Sequence, residues 1–320
     1  MRCLLVQPIH EAGRARLEGA GIDISLAAAP TMHLVAHEIT HCDAVITRDA
    51  GLTAEAIDAG RRLKIIVSHG AGFDRIDIDA ASRRGIPVAN TPGRNAQSVA
   101  ELAVGLILAA ARRLPAADRS VREGNKQFRE QAETIELAGK TAFIVGWGNI
   151  GRATAHILRE GFGMKVLVFS PRTHPDTVSG AGACKVGTLE EGLSRADIVS
   201  LHAPLNAETR ALLNNETFGM LRPGAILVNT ARAGLIDESA LARALDLGVV
   251  LAAALDLHEP ESPLIGRGDV ILTPHLGGST RDSLERTALA AAECVIDAIE
   301  GRLPASVLNP AALGETAEER

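Results

Sequence analysis

Three residues in the last third of the chain carry complementary chemistry: Arg232, Glu261 and His275. A guanidinium can anchor a carboxylate and polarise a carbonyl oxygen, and an imidazole titrating near neutrality can give or take a proton. A carboxylate beside that imidazole favours its charged form. Such a set suits proton transfer to or from the carbonyl or hydroxyl oxygen of a small acid. Taken singly, each residue has a plainer reading. A histidine at a strand end is more often structural, Arg232 reads as a surface charge, and Glu261 sits among acidic loop residues. Position joins them: Arg232 follows AILVNTA, Glu261 lies five residues beyond Asp256 at the end of VLAAALDLHEPE, and His275 ends VILTPH. Each falls just past a strand-like run, where open α/β sheets hold ligands.

The elements that must place them recur along the chain. CLLVQP, DAVITR, KIIVSHG and PVANT come first, and TAFIVGWG, KVLVFS, DIVSLHAP, AILVNTAR, VLAAALDL and VILTPH follow after residue 140. In the later series hydrophobicity is nearly continuous rather than alternating, as in strands buried on both faces, and helix-length segments separate the runs. The pattern predicts α/β architecture with doubly wound parallel sheets. At 320 residues two domains are expected. The helical stretch from about Gln97 to Arg113 is a natural joint. A second one, 280–301, either stays with the later domain or returns to the first, and periodicity leaves both open. The last ten residues, AALGETAEER, are small and polar and are expected to fray.

A glycine-rich turn supplies a reason for hydride chemistry. GWGNIG at 146–151 follows TAFIV and precedes GRATAHILREGFG, which puts Gly146, Gly148 and Gly151 on a strand–turn–helix junction. There the first glycine permits the tight turn, the second admits a pyrophosphate to the backbone, and the third allows close helix–strand packing. With 31 glycines in the chain a bare match is weak, and a plain tight turn is the alternative; the flanking strand and helix favour the dinucleotide. Nineteen residues past Gly151 stands Ser170, where an acid would hold the 2′-hydroxyl of NAD. Serine does not repel a 2′-phosphate, and Arg172 and Thr173 can donate to one, so NADP(H) is preferred over NAD. The alternative makes Arg172 a solvated loop residue.

Bulk properties exclude other classes. A net charge of −6 gives no basic footprint for nucleic acid or an anionic membrane, and with no tyrosine and 2% aromatic residues there is no base-stacking platform. LAVGLILAAA at 102–111 is half a bilayer-spanning length and is bracketed by Glu101 and Arg112. Cys3, Cys42, Cys184 and Cys294 form no CxxC pair, and no signal-peptide pattern is present, which suggests a reduced, cytoplasmic protein. HEITH at 37–41 matches the zinc-protease pattern, with His33 extending the stripe. It is cramped against the strand-like CDAVITR and lacks a third ligand, so a solvated helix face is the better reading and no metal is expected.

Taken together, the chain resembles the D-isomer-specific 2-hydroxyacid dehydrogenase family. The segments that carry the resemblance are SHGAGFDRIDIDAASRRGIPVANTP at 68–92, NAQSVAELAVGLIL at 95–108, ELAGKTAFIVGWGNIGR at 136–152, LHAPLNAETRALLN at 201–214, LVNTARAGLIDESAL at 227–241 and TPHLGGST at 273–280. The resemblance implies a Rossmann cofactor domain, 98–282, inserted in a flavodoxin-like substrate domain, 1–97 plus 283–320. It also implies a homodimer formed with help from the long helix after Asn95, and a reaction in a cleft that closes over the substrate. Arg232, Glu261 and His275 fall on the family's catalytic triad. Backbone groups at Gly70, Ala71 and Gly72 would hold the substrate carboxylate, and Asp256 would contact the nicotinamide carboxamide. Val99, Asn149, Ile150, His202, Ala203, Pro204, Thr209, Thr230, Ala231 and Gly277 are carried over as further cofactor contacts, with Arg232 and His275 at the nicotinamide end.

The implied substrates are hydroxypyruvate, glyoxylate or phosphohydroxypyruvate; formate fits poorly. Arg75 or Arg94 would meet a substrate phosphate, and both read equally well as surface charges. The chain is too short for the regulatory extension of some phosphoglycerate dehydrogenases. Two points depart from the pattern or compete with it. Ser262 follows Glu261 where proline is usual, which leaves Glu259, the residue before Pro260, as a rival triad acid. The same family also includes nucleotide-sensing co-repressors, so a binding protein of this fold is the alternative to an enzyme.

Overall fold

A computed structural model describes residues 1–313. The expectation of fraying at 311–320 falls mostly outside that range; Ala311–Leu313 belong to a 3-10 turn, Pro310–Leu313. Contacts divide the chain into two compact units, Met1–Asn95 with the segment from Gly278 onward, and Ala96–Gly277.

The first unit is a five-stranded parallel sheet. Its strands are β1 (Arg2–Leu5), β2 (Asp23–Leu26), β3 (Ala44–Thr47), β4 (Ile65–Ser68) and β5 (Val88–Ala89), in the order β2-β1-β3-β4-β5. That is the flavodoxin-like order. Central β3 and β4 are buried along their whole length, which explains their unbroken aliphatic sequence. Strand β2, DISL, has no fully buried residue, and its edge position explains why no apolar run announces it. The sheet separates two apolar clusters. Leu4, Val45 and Ile66 point to one, and Cys3, Leu5, Ile46, Ile65 and Val67 to the other. After β5 the chain crosses to the second unit and later returns through a long helix, Arg281–Ile299. Thr280 caps it, with its hydroxyl accepting the Ser283 N–H at 3.2 Å.

The second unit is a seven-stranded parallel sheet: β6 (Thr141–Val145), β7 (Lys165–Phe169), β8 (Cys184–Lys185), β9 (Ile198–Leu201), β10 (Ala225–Asn229), β11 (Val250–Leu255) and β12 (Val270–Leu272). The order β12-β11-β10-β9-β6-β7-β8 reverses direction at β6, between β9 and β7, so the connection after β6 opens at the topological switch point. Along β6, Ala142 and Ile144 enter one core while Phe143 and Val145 enter the other. Fully burying an aliphatic or aromatic side chain contributes about 1.5–3 kcal/mol, so this two-faced burial fixes the strand's register. The helices Ala96–Ala111, called α1, and Asn149–Phe162, called α2, pack on the Ala142/Ile144 face. Helix α2 ends on Gly163, whose φ of +63° lets its N–H return to Arg159 O and Leu158 O. No helix of the described residues is long and apolar enough to cross a membrane.

Candidate functional site

The glycine turn after β6 leaves room where a ligand's charge would lie. Gly146 has φ +100°, and a Cβ there would stand 2.6 Å from His202 O; a Cβ on Gly151 would stand 2.2 Å from Gly146 O. Both are closed to any side chain. A Cβ on Gly148 would meet nothing within 4 Å, so that residue's backbone faces open space. Gly148 is also the N-cap of α2 and makes no side-chain cap bond, which leaves the first-turn N–H groups of Asn149, Ile150 and Gly151 without a side-chain acceptor. Fourteen residues of aligned peptide dipoles stand behind them. The geometry fits a pyrophosphate.

At the end of β7 the Ser170 hydroxyl lies 2.8 Å from that of Thr173, and Lys185 Nζ donates to Thr173 O at 2.6 Å. Arg172 is 86% exposed and meets Glu208 only at 3.9 Å, so its guanidinium is held weakly. Beyond β9, His202 donates its backbone N–H to Val145 O at 2.7 Å, and its Nε2 is 2.9 Å from Ser200 Oγ. Its Nδ1 is enclosed without a partner, although the residue as a whole is partly exposed, and desolvation lowers the pKa to about 4. The ring is therefore neutral near pH 7. The Thr209 hydroxyl donates to Pro204 O at 2.6 Å and accepts the Asn206 N–H at 2.8 Å, which staples the loop between them.

The turns after β10, β11 and β12 carry the chemical groups. Buried Asn229 accepts the Ala231 N–H at 2.9 Å and donates to Arg232 O at 2.8 Å, folding the chain so that Arg232 adopts an extended φ of −145°. Thr230 Oγ1, next to that turn, is buried and unpartnered. Asp256, 1% exposed, receives three bonds: the Thr273 hydroxyl at 2.6 Å and the Leu276 N–H at 2.7 Å on Oδ1, and the Gly277 N–H at 2.8 Å on Oδ2. Its backbone O accepts the His275 N–H at 2.9 Å. His275 itself is exposed with φ +57°, a left-handed conformation that this set of bonds maintains. Ser98, on α1, donates to Gly277 O at 2.5 Å, and a Cβ on Gly277 would stand 3.3 Å from the Val99 methyls, so the turn rests on that helix.

Asp256 was expected at the nicotinamide carboxamide; three of its four lone-pair positions are spent on holding the His275 turn. Glu261 and its rival Glu259 are both exposed. Glu259 donates its backbone N–H to buried Glu238 Oε1 at 2.9 Å, and neither Glu259 nor Glu261 engages its carboxylate among the described residues. Asn229, Ser98 and Thr273 escaped the sequence reading. The signal for Asn229 was a polar residue closing an otherwise aliphatic strand, because a buried amide must be hydrogen-bonded.

In the other unit Gly70, Ala71 and Gly72 follow β4, partly exposed, with Gly70 at φ +152°. His69 is buried and its Nε2 unpartnered; desolvation and, secondly, the charge of Arg48 lower its pKa to about 4. The HEITH stretch divides between a helix, Met32–Glu38, and a 3-10 turn, Ile39–His41, and Glu38 accepts the Ala28 N–H.

Known proteins of this architecture carry names that bear on the site. Residues 104–277 match the family described as D-isomer specific 2-hydroxyacid dehydrogenase, NAD binding domain. The D-3-phosphoglycerate dehydrogenase of Archaeoglobus fulgidus is 36% identical over 307 residues, covering 94% of this chain and 58% of its own. The chain thus spans less than two thirds of the length of the curated relatives it matches. Among solved structures, a glyoxylate reductase from Paecilomyes thermophila superimposes with a TM-score of 0.86 at 28% identity, covering 96% of this chain and 98% of its own. The NAD+-bound 3-phosphoglycerate dehydrogenase of Entamoeba histolytica does so with a TM-score of 0.83 at 30% identity, covering 97% and 98%. With the family match extending over more than half of its residues, the chain belongs to the D-isomer specific 2-hydroxyacid dehydrogenase family.

Proposed function

We propose that the chain is a nicotinamide-dependent oxidoreductase interconverting a small 2-oxo acid and its D-2-hydroxy acid, of the hydroxypyruvate, glyoxylate or phosphohydroxypyruvate class. The observation that carries the reading is the Asp256-locked turn. It sets an exposed imidazole at the C-terminal edge of the sheet whose first turn leaves an open glycine cradle for a pyrophosphate.

In this reading Arg232 pairs with the substrate carboxylate and polarises the carbonyl oxygen. His275 donates its imidazole N–H proton to the oxygen as the alcohol forms, and takes that proton back in the oxidative direction. The free carboxylate of Glu261 supports the imidazolium, with its five-residue spacing from Asp256 favouring it over Glu259. The nicotinamide, when bound, supplies or accepts the hydride. Gly146, Gly148 and Gly151, with the Asn149 and Ile150 amides, hold the pyrophosphate. Val99, Thr230, Ala231, Asp256 and Gly277 line the nicotinamide end, and His202, Ala203, Pro204 and Thr209 form the adjoining loop.

NADP(H) is the preferred cofactor. Ser170 brings no charge against a 2′-phosphate, and Arg172 can meet one, because its ion pair with Glu208 is long and exposed. The active form is a homodimer built with α1, and the four unpaired cysteines suit the cytoplasm.

The test is a panel of glyoxylate, hydroxypyruvate and phosphohydroxypyruvate, each assayed with NADH and with NADPH. Turnover of at least one, faster with NADPH, is expected. Nucleotide binding without turnover on any of them would favour a nucleotide-sensing protein of the same fold.

A further inference from the structure

A buried carboxylate with no place in the proposed chemistry ties the turn after β10 to the loop after β11. From Arg232 the chain runs through a 3-10 turn, Ala233–Leu235, into the helix Glu238–Asp246. The Leu235 N–H donates to Arg232 O at 3.2 Å, and Asp237 caps the helix by accepting the Ala240 N–H at 3.0 Å, so the position of Glu238 follows from that of Arg232. Glu238 is 6% exposed. Its Oε1 accepts the Glu259 N–H at 2.9 Å, and its Oε2 is enclosed with no partner among the described residues. An enclosed carboxylate oxygen left unpaired is destabilising, and an apolar side chain of the same length would avoid that cost. What the acid gains over such a side chain is a charge-assisted bond to the loop.

Glu259 is the fixed base of a short turn. Besides giving its N–H to Glu238, it accepts the Ser262 N–H at 3.2 Å on its carbonyl oxygen, and His258 Nδ1 lies 2.9 Å from the same oxygen. On the far side Ser262 is 6% exposed, its Oγ accepts the Leu264 N–H at 3.2 Å, and Leu264 is fully buried. Exposed Glu261 stands between these two anchors. Ser262 thus fixes by hydrogen bonding a bend at the position where the family resemblance implies a proline.

We propose that Glu238 is a positioning residue: its bond to the Glu259 N–H fixes the turn that presents the Glu261 carboxylate, and so couples the Arg232 turn to Glu261. The action of Glu261 on His275 rests on the proposed function; the tie between Glu238 and the loop does not. Asp256 plays the corresponding part between β11 and β12, where it holds the turn around His275. Two buried acids thus join the three chemical groups.

The test is a double-mutant cycle on the full chain between Glu238→Met, which fills the same space without accepting a hydrogen bond, and Glu261→Gln. On a turned-over 2-oxo acid each single variant lowers kcat about tenfold, the equivalent of ~1.4 kcal/mol, with NADPH affinity at the wild-type value. The double variant is no slower than Glu261→Gln alone, because Glu238 acts through Glu261. Glu238→Gln, which keeps an oxygen to accept the Glu259 N–H, retains most of the rate. Glu238→Asp, still acidic but one methylene too short for the bond, serves in the cycle if Glu238→Met does not fold. A wild-type kcat in Glu238→Met, or losses that multiply in the double variant, overturns the proposal. So does coupling of Glu238→Met to Glu259→Gln in place of Glu261→Gln. The cycle is also read without turnover, from the His275 ring resonances of the 13C-labelled full chain at one pH. Glu238→Met displaces them, and adds nothing in the Glu261→Gln background; resonances indifferent to Glu238→Met overturn the proposal. That displacement in a chain that turns over no 2-oxo acid leaves the positioning role standing and rejects the proposed function instead.

Discussion

Asp256 Oδ2 accepts the Gly277 N–H at 2.8 Å, so a carboxylate ending β11 determines the path of the chain two residues beyond His275. With the Thr273 hydroxyl and the Leu276 N–H on Oδ1, it closes a turn around the histidine without touching the imidazole. Replacing Asp256 with Ala strands three donors, each costing about 1–3 kcal/mol when buried. The variant is expected to lose roughly 3–5 kcal/mol in urea denaturation, and any turnover with it. Asp256→Asn, which keeps one acceptor, should lose less. A loss below about 1 kcal/mol for Asp256→Ala would mean that the turn holds by other means.

His275 combines an unusual backbone with a proposed chemical role, and the two can be separated. Asparagine tolerates the left-handed region better than alanine, for which φ +57° carries a strain of about 1–2 kcal/mol. His275→Asn should therefore melt close to the wild-type temperature while turnover falls by about 10²- to 10⁴-fold, the range for removing a general acid. NADPH affinity should be nearly unchanged. Turnover near the wild-type rate would remove His275 from its assigned role.

Much of this arrangement could be read from the sequence because it rests on local chemistry. Unbroken aliphatic runs such as AILVN and VLAAAL mark strands covered on both faces, and GWGNIG between a strand and a helix marks a turn that side chains would block. What stayed hidden depends on pairs distant in the chain. Strand β2 at the sheet edge lacks an apolar run, and the two-residue β8 is too short for any period to show. Ser98 and Gly277 are 179 residues apart, and Asn90 and Ser306 are 216 apart, so neither contact leaves a mark in spacing. The family resemblance implies Asp256 as a nicotinamide contact; only the folded turn reveals how much of its hydrogen-bonding capacity is used internally.

Cofactor choice should turn on the residues after β7. Ser170→Asp introduces a charge that repels a 2′-phosphate and accepts from a 2′-hydroxyl, and Arg172→Ala removes a cation that is only loosely paired with Glu208 at 3.9 Å. The double variant is expected to move the ratio of kcat/KM for NADPH over NADH by at least about tenfold toward NADH. The readout is initial rates on one 2-oxo acid with each cofactor. An unchanged ratio would show that the selecting groups lie elsewhere.

His69 gives the first unit a defined response to acid. Desolvation, and after it the charge of Arg48, lower its pKa from 6.5 to about 4, while its own backbone and Asp49 act in the opposite direction. Because the folded-state pKa lies below the unfolded one, the unfolded chain binds the extra proton between those values. The contribution to stability is therefore complete above about pH 6.5 and is lost as pH falls toward 4. The full difference is on the order of 3 kcal/mol. His69→Gln, which carries no titrating proton, should flatten the fall in urea-unfolding free energy across that window relative to wild type. Parallel curves for the two proteins would mean that His69 is not held neutral in the fold.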